Sequence, residues 1–174
     1  MSLDPTLRPA VPADAEALAA LAARTFQETF GADNRPEDMA DYIQRAYSVR
    51  RLSEELCATD QRIFVAEHDH ALVAFAQLRL GPPPSCVTSP TPIELQRLYL
   101  DRPWHGRGLA QRLMARSLAE ARALGAGSIW LGVWEHNTKA TAFYRRQGFV
   151  TVGVHKFVLG EDHQQDLVMV KVPV

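Results

Sequence analysis

The clearest chemistry in this sequence is carried by six residues, His105-Gly106-Arg107-Gly108-Leu109-Ala110. They stand where a β-rich apolar run ends and a helical pattern begins, so their backbone N–H groups open a helix. A helix N-terminus presents unpaired N–H donors and about +0.5 of a charge, which together attract a phosphate. Glycine lets the backbone approach such an anion with no Cβ in the way. Two other phosphate loops can be set aside. The Walker pattern needs Gly-Lys-Ser/Thr, and the chain contains no Gly-Lys pair. The dinucleotide fingerprint G-x-G-x-x-G fails at Gln111, where its third glycine should stand. What fits is Gln/Arg-x-x-Gly-x-Gly/Ala, with Gly108 and Ala110 in the last two required places. A turn that merely starts a helix is the plainer alternative.

The second chemical stretch runs from Trp134 to Phe149. Asn137 suits a helix N-cap and Gly148 a helix stop, so both have structural explanations. Ala140 and Tyr144 are four apart and share a helix face, where the tyrosine either packs or serves a site. The remaining candidates are weaker. His68 and His70 form an H-x-H pair that flanks a turn with no third ligand nearby, so no metal is expected. His136 reads as solvent-exposed, and Trp104, Trp130 and Trp134 read as packing residues. Cys57 and Cys86 stand alone in no C-x-x-C pattern and read as two reduced thiols.

These residues need elements to hold them. Pro12-Ala13-Asp14 opens a helix with Leu18, Leu21, Ala22, Thr25 and Phe26 at helical spacing. Further helices start near Pro36 and near Val49. Arg62–Glu67 and Leu72–Leu80 are β-rich, with His68-Asp69-His70-Ala71 between them as a hairpin signal. Five prolines make 81–92 a loop. Ile93–Leu100 is a strand and Leu109–Leu124 an amphipathic helix. Ser128–Trp134 is a strand and Asn137–Arg146 a short helix. Val150–Leu159 and Asp166–Val172 form a closing hairpin. The 93–134 unit is long enough for a right-handed parallel crossover. One α/β domain over 1–174 follows, a mixed, mostly antiparallel sheet flanked by helices.

The composition is ordinary: 47% hydrophobic, 22% charged, net charge −1. Nothing argues for nucleic acid, and no run approaches the roughly 20 apolar residues of a membrane span. MSLDPTLRPA has neither a basic nor an apolar signal region, so a cytoplasmic protein is expected. Residues 1–60 hold eleven acids against six arginines, and 97–122 hold six arginines against two acids. That split suits a protein receiving an anion in one place and a cation in another.

The strand–HGRGLA–helix order, followed by Asn137-x-x-Ala140-x-x-x-Tyr144 and Gly148-Phe149, resembles the GNAT (Gcn5-related) N-acetyltransferase superfamily. Within it the chain looks like the PaiA-type spermine/spermidine acetyltransferases. That likeness rests on Thr25-Phe26 through Thr29-Phe30, Pro36–Met39, Glu94–Tyr99, Trp130–Asn137 and the tail from His155, Phe157 and Leu159-Gly160 to Gln165-Asp166. The resemblance implies acetyl transfer from acetyl-CoA, without a metal, to a primary amine of the polyamine kind. Another amine (a protein N-terminus, an amino acid or an antibiotic) is the alternative acceptor, and a CoA-binding sensor without turnover is the alternative class. A homodimer is compatible with it. His105, Gly106, Arg107, Gly108, Leu109 and Ala110 would hold the pyrophosphate. His105 stands where the superfamily usually has Gln or Arg, which leaves the contact to the backbone. Leu98, Tyr99 and Leu100 would pair with the pantetheine arm, and Asn137 would bond to it. Tyr144, a phenol with its ordinary pKa near 10, would protonate the departing thiolate, and Glu94 would be the general base. Pairing with an arginine is the other reading of Glu94. Glu28, Glu37, Asp38 and Asp41 lie on or between the first helices, which border the acceptor groove in that superfamily, so some of the four are expected to face it.

Overall fold

The computed structural model describes residues 4–160 and 162–172. Among the described residues, seven strands form a single sheet and five α-helices pack on its two faces. Helix α1 is Ala15–Phe30, α2 Pro36–Tyr47, α3 Val49–Cys57, α4 Leu109–Ala123 and α5 Thr138–Arg146. The strands are β1 Thr6–Pro9, β2 Gln61–His68, β3 Ala71–Arg79, β4 Pro92–Leu100, β5 Ser128–Trp134, β6 Val150–Leu159 and β7 Asp162–Lys171. Local chemistry explains most boundaries. Proline at the first position starts α2, and Ser48 caps α3 by accepting from the Arg51 amide. Asp69 and His70 both have positive φ, 48° and 63°, which closes the β2–β3 hairpin in two residues.

The sheet order is β1-β2-β3-β4-β5-β7-β6. All neighbours are antiparallel except β4 and β5, which the α4 crossover joins in parallel. On one face α4 and α5 pack through Leu109, Leu113, Met114 and Phe143 against Ile93, Leu95, Ile129 and Leu131. On the other, α1, α2 and α3 bury Leu18, Phe26, Met39 and Leu52 against Val65, Phe75 and Leu159. The proline-rich 81–92 segment is a loop, as expected, and Val87 and Cys86 from it cover Trp130, Val168 and Val170.

Two features depart from the expected elements. A first strand, Thr6–Pro9, pairs with β2 although its four residues carry no usable alternation. And β7 begins at Asp162 rather than Asp166, because each of its residues up to Asp166 finds a partner on β6.

Candidate active site

The site originates where β4 and β5 separate. Only Pro92↔Ser128, Ile93↔Ile129 and Glu94↔Trp130 are paired. Beyond them β4 continues to Leu100 and β5 to Trp134 without pairing to each other, so the sheet opens as a fork. The inner edge of β4 from Leu95 onward therefore keeps unpaired backbone groups for an extended guest. The Leu100 carbonyl is the exception, 3.0 Å from His105 Nε2.

A bulge sets which side chains face which side. Leu78 pairs with Leu95 but Gln77 pairs with Arg97, which leaves Gln96 as the extra residue. Its Oε1 is buried with no partner. The slip shifts the alternation, so Leu95, Leu98 and Leu100 all pack on the α4 side. Arg97 and Tyr99 turn toward α1–α3, where Arg97 meets Glu55 and the Ala46 carbonyl. A cavity of about 290 Å³ runs through the fork, with Glu94–Tyr99 on one wall and Gly132, Val133 and Trp134 on the other.

On the α4–α5 side lies the glycine turn. Gly106 and Gly108 have φ of 74° and 78°, the left-handed region that glycine enters without strain, and the space beside both Cα atoms is open. The amides of Gly106, Arg107, Gly108, Leu109 and Ala110 donate to no acceptor among the described residues. That is the donor set an anion needs. Arg107 lies over the Trp104 ring, 5.3 Å from its centre. Lys139 brings its Nζ to 3.4 Å from His105 Nδ1, adding a cation from α5. Asn137 caps α5 by accepting from the Ala140 amide at 3.1 Å, and its Nδ2 donates to no acceptor among the described residues. Tyr144 also lines the cavity, with its ring against Phe143 and Phe149. Burial pushes its phenol above the ordinary range, and no neighbouring charge or donor offsets that. The expectation of an ordinary phenol at this position is therefore corrected.

On the α1–α2 side the cavity is aromatic and carries charged groups of both signs, Arg79 and Arg97 beside its carboxylates. Phe26 stacks on Tyr42 at 4.7 Å, Tyr42 meets Phe157 edge-on at 5.6 Å, and Phe30 meets Trp134 at 6.1 Å. Two carboxylates line it, Glu94 and Asp166. Arg79 Nε and Nη2 both donate to Glu94 Oε2, at 2.7 and 2.6 Å. Burial raises the Glu94 pKa despite that guanidinium. Asp166 is pushed up to about 6, again by burial, with His155 opposing.

A family model described as the acetyltransferase (GNAT) family matches residues 16–149. The chain belongs to this family. An N-acetyltransferase of Mycobacterium bovis, itself uncharacterized, is 38% identical over 158 residues, which is 91% of this chain and 97% of that one. A counterpart beside pepI in Lactobacillus delbrueckii is 32% identical over 152 residues, 87% of this chain and 88% of the other. Among solved structures, the PaiA N-acetyltransferase of Thermoplasma acidophilum with coenzyme A superposes at a TM-score of 0.78, with 21% identity and 99% of each chain covered. The ribosomal-protein-S18-alanine N-acetyltransferase of Escherichia coli superposes at 0.71, with 16% identity over 97% of this chain and 94% of that one. Both share the fold.

In this acetyltransferase the cavity wall brings together the β4 edge, Asn137, Tyr144 and Glu94; the glycine turn lies outside that wall, linked through His105 to the Leu100 carbonyl and to Lys139. The acids expected at the groove do not join it. Glu28, Glu37, Asp38 and Asp41 are absent from the cavity wall, and Glu28, Glu37 and Asp41 face Arg102, Arg35 and Arg45. Nor do the arginines of 97–122 form one basic surface. Arg97 is buried against Glu55, Arg116 pairs with Glu120, and Arg112 donates to the Pro5 carbonyl. Sequence reading missed Lys139, whose one local signal is a cation in the first turn of a helix, where the dipole disfavours it. It also assigned no role to His155 and Asp166.

Proposed function

We propose that this acetyltransferase moves the acetyl group of acetyl-CoA onto the nitrogen of a small primary amine of the polyamine kind, such as spermidine. The observation that carries the reading is the cavity through the fork. Asn137 and Tyr144 line it on the α4–α5 side, where the amide-rich turn lies outside its wall, and Glu94 and Asp166 line it among aromatic rings on the other side. An anionic donor and a cationic acceptor could thus approach from opposite faces and meet between β4 and β5.

The unpaired amides of Gly106–Ala110, with Lys139 beside them, fit a pyrophosphate. The free edge of β4 at Leu98 and Tyr99 suits the amide-bearing pantetheine arm, and Asn137 Nδ2 would donate to it. The amine nitrogen attacks the thioester carbonyl carbon; a C–N bond forms and the C–S bond breaks. The buried Tyr144 phenol stays protonated at neutral pH, and its O–H supplies the proton that the departing thiolate takes. Glu94 accepts the proton lost by nitrogen. Its raised pKa makes it a better proton acceptor than an ordinary carboxylate, and Oε1 is not engaged by Arg79. Tyr144 and Glu94 on the same cavity argue for turnover rather than sensing. Thiol release from acetyl-CoA, followed with DTNB over polyamines, monoamines, amino acids and N-terminal peptides, tests the reading. Spermidine should show the highest kcat/KM; a peptide or amino acid leading the panel would displace the polyamine assignment.

A further inference from the structure

The two carboxylates of the cavity differ in one respect. Glu94 has an arginine on it; Asp166 accepts no hydrogen bond and makes no ion pair among the described residues. Its position is nonetheless well defined. Asp166 pairs in register with His155 on β6 and with Trp134 on β5. Its Oδ2 lies over Gly132, where an added Cβ would come within 3.3 Å. Gly132 is two residues past the last β4–β5 pair, so the carboxylate hangs beneath the opening of the fork. Around it the same cavity carries Trp134, Tyr42 and Phe157. His155, on the same cavity wall, has its Nδ1 2.7 Å from the Lys156 carbonyl.

An unpaired carboxylate set among aromatic faces is a binding place for an ammonium group: the anion supplies charge and the rings supply cation–π attraction. The nitrogen that attacks must be neutral, so a cation held at Asp166 is a different nitrogen. We propose that Asp166 anchors a second, distal ammonium of the acceptor, which makes the enzyme select diamines and longer polyamines over monoamines. The proposal rests on the amine-acetylating reading above. The raised pKa of Asp166 agrees with a charge that lacks its partner until substrate arrives.

The charged and titratable groups that share the cavity with Asp166 are His155 on β6, Glu94 with Arg79 across the fork, Arg97 on β4, which is held by Glu55, and the tyrosines, Tyr42 on α2 among them. Of these, Glu94 already faces Arg79, which leaves Asp166 as the carboxylate free to answer a cation.

The test compares 1,4-diaminobutane with 1-aminobutane, two acceptors of equal chain length, in the full chain with acetyl-CoA and DTNB readout. Wild type should favour the diamine at least tenfold in kcat/KM, through KM. Asp166→Asn should erase that preference by lowering kcat/KM for the diamine at least tenfold more than for the monoamine. Asp166→Glu should restore most of it. A diamine preference that survives in Asp166→Asn overturns the anchor role and leaves the polyamine reading standing. Equal losses on both amines also overturn it, pointing to a general structural or proton-transfer role. No preference in wild type sinks both readings, while calorimetric binding of acetyl-CoA to the same protein separates that result from misfolding.

Discussion

A phenol buried with nothing to stabilise its anion is a proton donor that rarely ionises, and Tyr144 has that setting. Tyr144→Phe should lower kcat by about 10²–10⁴-fold, the usual range for general acid help, with acetyl-CoA affinity nearly intact. A drop below about threefold, with chemistry shown to be rate-limiting, would remove Tyr144 from that role. Glu94 is expected to matter most at low pH, where the unassisted amine is almost wholly protonated. Glu94→Gln should therefore depress kcat/KM most steeply there, and superimposable pH–rate profiles would assign the proton to another group. Asp166 also has a consequence for stability. Its pKa rises from 3.8 to about 6 on folding, so the native state binds the proton more tightly than the unfolded chain. Below pH 4 both states are protonated and nothing is lost; the penalty grows between pH 4 and 6 and is complete above. At about 1.4 kcal/mol per pH unit, discounted for partial exposure, it is about 1–2 kcal/mol. Asp166→Asn should thus raise the Tm at pH 8 while the two proteins converge near pH 4. A variant less stable than wild type at pH 8 contradicts this.

At the level of elements, the fork and the glycine turn do different work. The turn depends on left-handed backbone at Gly106 and Gly108 and on amides that point at open space. Gly108→Asp would strain that backbone and put a carboxylate in the cradle, so acetyl-CoA affinity by calorimetry should fall by at least an order of magnitude. Wild-type affinity would show that the turn is not the anion site. The bulged strand β4 is tied to α3 by a buried ion pair: Glu55 and Arg97 side chains are only 3% and 9% exposed. Gln77 completes the group by bonding both partners, and Arg97 also lies 4.9 Å from the centre of the Tyr47 ring. Arg97→Met removes the buried one of two guanidiniums on Glu55, Arg51 on the same helix keeping the other bond at 2.9 Å, and should cost about 1.5–3 kcal/mol in denaturant unfolding, the range for a hydrogen bond to a charged group. A loss under 1 kcal/mol would mean that Glu55 finds water or protonates at little expense.

On the scale of the whole molecule, the acidic first third and basic middle of the sequence do not become two opposed surfaces. Their charges pair with each other, as Arg24 with Asp101, Arg102 with Glu28 and Arg97 with Glu55. Glu37 is exposed on α2, and neither it nor Asp38 lines the cavity. With screening over about 8 Å at 0.15 M salt, reversing both to lysine should leave the amine KM within about twofold. A larger rise would mean that long-range attraction by α2 feeds the site. What the sequence alone determined about this protein is whatever is local along the chain. The glycine turn, the Asn137 cap and Tyr144 on its helix face need only a few consecutive residues, and the 2.0 and 3.6 periods mark most strands and helices. What the tertiary structure decided is whatever depends on pairing between distant strands. The early end of the β4–β5 ladder, the bulge at Gln96 and the four-residue β1 leave no periodic trace. Asp166 is the sharpest case. On an alternating strand a carboxylate reads as a solvent-facing residue, and only the register that sets it beside His155 and over Gly132 turns it into a half-buried carboxylate of the site with no ion pair among the described residues.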